Sequence, residues 1–158
     1  MVATRHIYAG LEVVEEYVWC TGEPVCDPGG EWVLAREFLW GERFPEPLVM
    51  VDWTAAGDVA AGSEEVLHYV HNAQGSVIGL TDAGDPNATP DPIPGALVER
   101  YVYDPYGRTV VEVWDANTSA FVRNEVTDAD GIDRFTSKYG NPWMWTGQRN
   151  DTGVGLYA

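Results

Sequence analysis

Apolar and polar residues alternate along most of this chain with a period of two, the spacing of a β-strand that buries one face. In Leu97–Tyr103, for example, Tyr101 and Tyr103 fall on the same side of an extended backbone. The alternation predicts strands in seven segments: Arg5–Trp19, Glu31–Phe44, Leu48–Trp53, Glu65–Tyr69, Ser76–Leu80, Leu97–Tyr103 and Arg108–Trp114. With the turn residues between and after them, these segments predict an all-β fold of about eight to ten short strands.

The first of these runs has two readings. Leu11, Val14 and Val18 also fit the stripe of an amphipathic helix, so periodicity alone does not separate the two structures. The β-branched and aromatic residues of the run favour a strand.

Three stretches interrupt the alternation and predict loops or insertions. Residues 54–64 are small and rich in Gly and Ala, residues 82–96 carry four prolines, and residues 115–138 are polar with little regular pattern. At 158 residues, a single domain covering 1–158 is expected.

One hairpin unit occurs twice, 32 positions apart. Tyr101-Val-Tyr-Asp-Pro-Tyr-Gly-Arg-Thr109 aligns with Tyr69-Val-His-Asn-Ala-Gln-Gly-Ser-Val77, so that Tyr101 matches Tyr69 and Gly107 matches Gly75. In the later copy, the Asp104 side chain can accept hydrogen bonds from its own turn. Pro105 presets φ, and Gly107 permits positive φ before Arg108 begins the returning strand. A hairpin cannot bury its apolar face alone, so its recurrence predicts a repeat array.

At these residues the chain resembles the YD-repeat proteins, also called RHS (rearrangement hotspot) proteins. The Tyr101–Arg108 stretch is similar to the signature of that family, and Tyr69–Asp82 is similar to another of its units. Arg36–Phe44, which contains Trp40 and Gly41, resembles the strand pair ahead of the family's core region. Thr146–Tyr157 resembles the RHS core segment, through Gly147, Gly155, Leu156 and Tyr157.

This resemblance implies antiparallel β-hairpin repeats that form a curved or spiral sheet, one arc of a YD-repeat shell. Family members are mostly large bacterial proteins, exported or displayed at the cell surface, whose shell encloses a C-terminal toxin. The implied function is a non-catalytic wall segment that helps to encapsulate or display such an effector. Its implied partners are other YD repeats of a longer parent chain, or further copies joined through sheet edges.

The chain departs from the family pattern at its end. The family core continues into an Arg-Tyr-Tyr-Asp-Pro stretch and a self-cleavage motif, whereas this sequence stops at Ala158. Neither the cleavage motif nor a toxin is expected in these residues. We therefore expect a fragment of a larger gene, or a remnant that forms an open or partly curled sheet, and no enzymatic activity.

The charge balance limits the classes of partner that the chain is expected to bind. Lys and Arg number 9 and Asp and Glu number 25, which gives a net charge of −16. Such a surface repels phosphate backbones, so nucleic-acid binding is not expected. No stretch reaches the roughly 20 apolar residues that span a bilayer, so membrane insertion is not expected. The N-terminus lacks the continuous apolar core of a secretory signal peptide, so export would depend on a larger parent protein.

Sequence motifs for catalysis and cofactor binding are absent. There is no Gly-x-Ser-x-Gly elbow and no phosphate-binding Gly-rich loop, so no catalytic residue, metal ligand or cofactor is predicted. Two alternatives to the wall segment stay open. A module that binds surface glycans or a protein would expose a cluster of aromatic residues, and an acidic hydrolase would need two converging carboxylates, one with a raised pKa.

Cys20 and Cys26 are the two cysteines of the chain. The five residues between them can fold back, so a disulfide is sterically possible and would suit an exported protein. The alternative is a pair of ordinary thiols at a hairpin tip. A zinc site would need two further ligands, which the neighbouring sequence does not offer.

Overall fold

The computed structural model describes residues 3–21, 29–53, 65–84, 95–106, 108–127, 133–151 and 156–157. Nine strands follow one another through most of it: Thr4–Ala9 (β1), Glu12–Cys20 (β2), Glu31–Trp40 (β3), Pro47–Asp52 (β4), Glu65–His71 (β5), Val77–Asp82 (β6), Leu97–Tyr103 (β7), Thr109–Asp115 (β8) and Ala120–Arg123 (β9). Four shorter strands come after them: Glu125–Thr127 (β10), Asp133–Phe135 (β11), Asn150–Asp151 (β12) and Leu156–Tyr157 (β13). A 3₁₀ turn, Trp145–Gly147, lies between β11 and β12.

Strands β1 to β9 form one antiparallel sheet in which each strand pairs with its neighbours in the chain. The last four strands form two separate ribbons, β10 with β11 and β12 with β13. Within the described ranges, β1 and β9 lie at opposite edges and do not pair, so the sheet is open and not a closed barrel. The same residues contain no α-helix. The predicted all-β antiparallel hairpin architecture is therefore confirmed.

The first predicted strand, Arg5–Trp19, is two strands in the structure. Gly10, at φ +69°, lies in a tight turn between β1 and β2, a conformation that costs glycine little. Thr4 then lies opposite Val18, and Ala9 opposite Glu12. The sequence prediction missed this turn because strand-forming residues stand on both sides of the single glycine.

The segment 115–138, predicted as a loop or insertion, contains regular strands in its described residues. It contains β9, which pairs with β8, and the ribbon of β10 and β11. Of the other two predicted loops, residues 54–64 lie outside the described part of the chain, as do residues 85–94 of the second.

The two copies of the repeated hairpin have matching turns. Asn72 Oδ1 accepts hydrogen bonds from the backbone nitrogens of Gln74 (2.9 Å) and Ser76 (3.1 Å). At the equivalent position, Asp104 Oδ1 accepts from the backbone nitrogens of Tyr106 (2.8 Å) and Arg108 (2.9 Å). The offset of 32 positions seen in the sequence is thus also an offset between equivalent turns.

The hydrophobic core lies on one face of the sheet. Strands β5, β7 and β8 each contribute alternate buried residues, as the period of two requires. Residues 136–149, called the strap below, lie on this face and close the core. The buried apolar cluster comprises Val13, Phe38, Met50, Leu67, Tyr69, Val77, Leu80, Tyr101, Val111, Trp143 and Met144.

Candidate functional site

Backbone hydrogen bonds fix the strap to the sheet. The carbonyl oxygen of Met144 accepts from the backbone nitrogen of Val77 at 3.0 Å, and the backbone nitrogen of Thr146 donates to Ser76 Oγ at 3.0 Å. Gly147 has φ +70°, and a Cβ atom there would collide with the carbonyl oxygen of Pro45. These contacts join the strap to the start of β6 and to the loop after β3.

Asn141 lies at the centre of the strap and is almost fully buried. Its Oδ1 accepts from Tyr69 Oη and from the backbone nitrogen of Trp143, both at 2.9 Å. Its Nδ2 donates to Tyr101 Oη and to the carbonyl oxygen of Trp143, both at 2.8 Å. The amide therefore uses two acceptor sites and both donor hydrogens. Tyr69 and Tyr101 are the equivalent tyrosines of the repeated hairpin, so Asn141 links the two repeats.

Glu99 lies beside this link, and its side chain is fully buried. It accepts a short hydrogen bond from Tyr101 Oη and another from the backbone nitrogen of Lys138 at 2.8 Å. Burial raises the pKa of Glu99, although the hydrogen bonds from Tyr101, Ser137 and Lys138 act against the shift. Burial also raises the pKa values of Tyr69 and Tyr101 well above their usual range, so both phenols stay protonated.

Glu65 lies near two other carboxylates at the start of β5. Burial, followed by the charges of Asp82 and Asp52, raises the pKa of Glu65 to about 6. Burial and the nearby Glu65 and Glu99 carboxylates raise the pKa of Tyr139 to about 12. The folded sheet therefore holds a proton on Glu65 more tightly than an unfolded chain does.

This shift predicts a pH dependence of stability. A carboxyl whose pKa rises on folding stabilises the fold below its ordinary pKa of about 4.3 and loses that contribution as the pH rises through about 6. Glu65→Gln should remove this loss, so its melting temperature should exceed that of the wild type at pH 7 and approach it near pH 4. Thermal melts across this range, with the exposed Glu42→Gln as control, test the expectation. A difference between Glu65→Gln and wild type that does not vary with pH would contradict it.

A second polar cluster surrounds Glu16 of β2, which is 4% exposed. Arg36 Nη1 donates to Glu16 Oε1 at 2.7 Å, and Arg149 Nη2 donates to Oε2 at 3.0 Å. His6 Nε2 lies 3.0 Å from Oε2 and 2.7 Å from Arg149 Nη1. Burial acts to raise the pKa of Glu16, but the charges of Arg36 and Arg149 and the contact with His6 hold it below its usual value. The cluster thus joins β1, β2, β3 and the end of the strap.

Aromatic rings complete the fastening of the strap. Trp143 packs edge to face on Trp40, with ring centroids 4.8 Å apart, and on Phe38 at 5.8 Å. Trp40 Nε1 donates to the carbonyl oxygen of Val13 at 2.8 Å. The indole N–H of Trp143 is buried and has no partner among the described residues. Trp145, which is half-buried, packs on Tyr103 at 5.2 Å, so both strap tryptophans contact aromatic residues of the sheet.

A cleft of about 620 Å³ opens beside the Trp40–Trp143 pair. Its rim carries Tyr8, Leu11 and Phe44, which are 59%, 79% and 61% exposed. The other lining residues are Val13, Pro45, Gln74, Thr146, Gly147, Gln148 and Arg149. The cleft therefore combines aromatic walls with a few polar groups.

Most of the residues predicted from the family resemblance lie in the sheet, in its turns or in the strap. Tyr69 and Tyr101 are buried in the core, and Tyr103 packs against it. Trp40 packs beneath the strap, and the nitrogen of Gly41 donates to the carbonyl oxygen of Glu46 at 2.8 Å. Gly75 has φ +81°, as its predicted turn requires. The turn between β7 and β8 contains Asp104, Pro105 and Arg108, and the strap contains Gly147. Leu156 and Tyr157 form β13. Gly107 and Gly155 lie outside the described residues.

Two further positions relate to the sequence predictions. Cys20 is disulfide-bonded, whereas Cys26 lies outside the described residues, so the pairing of the two stays a prediction. Trp53, which precedes the predicted loop at 54–64, is half-buried, and its Nε1 donates to Glu37 Oε2 at 2.7 Å.

Sequence reasoning missed the polar groups that hold the strap, above all Asn141, Glu99 and Glu16. Alternation offered one signal, because Glu99 stands in phase with Tyr101 and Tyr103 on the core face of β7. No local pattern marked Asn141, whose tyrosine partners are 40 and 72 residues away.

The described residues contain neither a cluster of metal ligands nor a membrane-spanning helix. No group of three or more His, Cys, Asp or Glu side chains among them is placed to hold a metal ion. Nor does that part of the chain form a helix with the length and apolarity to cross a membrane.

Comparison with known proteins adds no family. No protein-family model matches the chain, and no curated protein matches it either. Among solved structures, the chain is similar to a protein of unknown function from Bacteroides fragilis, with a TM-score of 0.39 and 11% identity over 89% of this chain and 96% of the other. A likeness of this degree carries no argument, so the resemblance to YD-repeat proteins stays a prediction.

Proposed function

We propose that this chain is a non-catalytic wall segment of a YD-repeat shell, whose open sheet edges pair with neighbouring hairpin units. The observation that carries the proposal is the link through Asn141 between Tyr69 and Tyr101, the equivalent tyrosines of two successive hairpins. In this arrangement the repeat tyrosines serve the architecture of the wall. The parent protein would be exported or displayed at a bacterial cell surface.

The edges of the sheet support this proposal. Within the described ranges, β1 and β9 each pair on one side and leave the other row of backbone groups without a strand partner. Natural sheets protect such edges by covering them or by placing prolines and charges there, since an open edge binds further strands. Neither edge strand contains proline, and each carries a single arginine, Arg5 in β1 and Arg123 in β9. Edges with so little protection suit a wall that continues by adding strands.

Aromatic pairs near both edges also support the proposal. Trp114 and Phe121 face each other across β8 and β9, with ring centroids 5.3 Å apart, and Trp114 is 42% exposed. Near the other edge, Trp19 and Trp32 pair across β2 and β3, also at 5.3 Å. Half-exposed aromatic residues are enriched in surfaces that bind partners.

The use of the buried carboxylates supports a non-catalytic role. Glu16 is neutralised by two arginines, and Glu99 accepts hydrogen bonds from the sheet and the strap. Glu65 has a raised pKa beside Asp52 and Asp82, as one carboxyl of a hydrolase pair would, but none of the three lines the cleft beside the strap. That cleft has no Asp or Glu in its lining. Glu16 and Glu99 hold the wall together.

Self-association through the β9 edge provides the test. We expect the isolated chain to associate in sedimentation velocity runs at about 0.15 M salt, where the Debye length of about 8 Å limits repulsion between its acidic surfaces. Val122→Lys puts a charge on the edge strand and should weaken the association about tenfold.

Val102→Lys is the matched control for this experiment. Val102 is 51% exposed, similar to Val122 at 43%, but it lies in the interior strand β7. Both substitutions change the net charge equally, so a difference in self-association between the two variants shows the effect of the edge position. Wild-type chain that stays monomeric at about 100 μM, or equal weakening by both variants, would contradict the proposal.

A further inference from the structure

The cleft beside the strap differs in charge from the rest of the molecule. The chain carries 25 carboxylates, yet none of the residues that line the cleft is Asp or Glu. The one charged residue in the lining is Arg149, whose guanidinium is already paired with Glu16 at 3.0 Å. The cleft is therefore close to electrically neutral within a strongly acidic protein.

This charge pattern selects among ligand classes. A cationic ligand would meet the Arg149 guanidinium and would find no carboxylate in the wall. An anionic ligand would approach against the net charge of −16, and the arginine it could pair with is already neutralised by Glu16. A neutral ligand meets neither cost.

The walls of the cleft favour a ligand with both apolar and hydroxyl surfaces. Aromatic rings are present on the rim, at Tyr8 and Phe44, and in the wall, at Trp40 and Trp143. Between them, Gln74, Gln148 and Thr146 carry amide and hydroxyl groups that can both donate and accept hydrogen bonds. Trp143, a residue of the wall, also has a buried indole N–H donor without a partner among the described residues.

We infer that this cleft binds a neutral saccharide, as a free oligosaccharide or as part of a glycoconjugate. Sugar rings have apolar C–H faces that pack on aromatic side chains, and their hydroxyls need both donors and acceptors. The cleft volume of about 620 Å³ falls within the range of roughly 300–1,000 Å³ found for ligand sites. The ring faces would pack on Tyr8 and Phe44, and the hydroxyls would bind Gln74 and Gln148.

Isothermal titration calorimetry with defined neutral hexasaccharides tests this inference. The probes are cellohexaose, chitohexaose and maltohexaose, with hexagalacturonate as an anionic comparison. We expect at least one neutral probe to bind with a Kd between about 10 μM and 1 mM, and more tightly than hexagalacturonate. Phe44→Ala and Tyr8→Ala should each weaken that binding about tenfold, a loss of the size found for aromatic stacking on a planar ligand.

Tyr106→Ala is the matched control, because Tyr106 is 94% exposed in the β7–β8 turn and does not line the cleft. Its affinity should stay within about twofold of the wild type. Gln148→Ala tests the polar wall separately, since its side chain is exposed and only its backbone holds the 3₁₀ turn. We expect it to weaken binding without changing the melting temperature.

Three results would overturn the inference: no neutral hexasaccharide binds with a Kd below about 10 mM, the anionic probe binds most tightly, or Tyr106→Ala weakens binding as much as Phe44→Ala. Where a hexasaccharide binds, the same titration with a glycoprotein carrying that sugar distinguishes a free from a conjugated ligand. Equal affinities per sugar chain indicate recognition of the saccharide alone.

Discussion

Replacing Glu16 by glutamine is expected to lower the free energy of unfolding by about 3 kcal/mol at pH 7. Glutamine keeps the size of the side chain but removes the charge that Arg36 and Arg149 share. Both guanidinium groups are partly buried. The variant leaves Arg149 without its carboxylate partner, and leaves Arg36 with Asp52 Oδ2 at 3.7 Å in place of the contact at 2.7 Å, so both cations lose stabilisation in a poorly solvated place. Urea unfolding followed by far-ultraviolet circular dichroism measures the loss.

Glu125→Gln is the matched control for this prediction. Glu125 and Arg123 form an ion pair at 3.6 Å whose side chains are 38% and 64% exposed. Each variant removes one of 25 carboxylates, so the change in overall self-repulsion is the same. We expect a loss of at most about 0.5 kcal/mol for Glu125→Gln. Equal losses in the two variants would show that the Glu16 cluster does not fasten the strap.

Replacing Asn141 by alanine is expected to cost a similar amount, about 3 kcal/mol. The variant leaves the Oη atom of Tyr69 without its bond at 2.9 Å and that of Tyr101 without its bond at 2.8 Å. Both hydroxyls are buried. Tyr101 Oη keeps its hydrogen bond to Glu99, whereas Tyr69 Oη keeps a weak contact with Met50 Sδ at 3.7 Å, and an unsatisfied buried group costs about 1–3 kcal/mol. The strap should also loosen, because the hydrogen bonds between the Asn141 side chain and the backbone of Trp143 are lost.

Amide hydrogen exchange separates this loosening from a general loss of stability. In Asn141→Ala we expect faster exchange in the strap, and a smaller change in the middle of β5 and β7. Asn117→Ala is the control, because Asn117 is exposed and its side chain bonds only to Asp115 in the β8–β9 turn. A loss above about 1 kcal/mol in the control, or unchanged exchange in the strap of Asn141→Ala, would contradict the role of Asn141.

The sheet could be predicted because its signals are local. Alternation placed Tyr101 and Tyr103 on one face, and the bounds of β7, Leu97–Tyr103, are those predicted. Asp104 formed its turn through bonds to residues two and four positions away. A strand and its turn are decided within a few residues, which is the range that a pattern can cover.

The strap could not be predicted because its partners are distant in sequence. Arg149 binds Glu16 over 133 positions, and Thr146 binds Ser76 over 70. Trp143 and Trp145 are two positions apart, like alternate residues of a strand, but Thr146 has φ +49° inside the 3₁₀ turn Trp145–Gly147. The cleft likewise depends on side chains from four separate segments, so it exists only once the strap has docked.

Sequencing the DNA on both sides of this reading frame tests the wall proposal most directly. If the chain is a wall segment of a YD-repeat shell, the frame should continue into further Tyr-x-Tyr-Asp hairpin units on at least one side. A continuation into an Arg-Tyr-Tyr-Asp-Pro stretch, a cleavage motif and a variable tail would place it in a toxin-carrying shell. Stop codons on both sides with no further hairpin units would contradict the proposal.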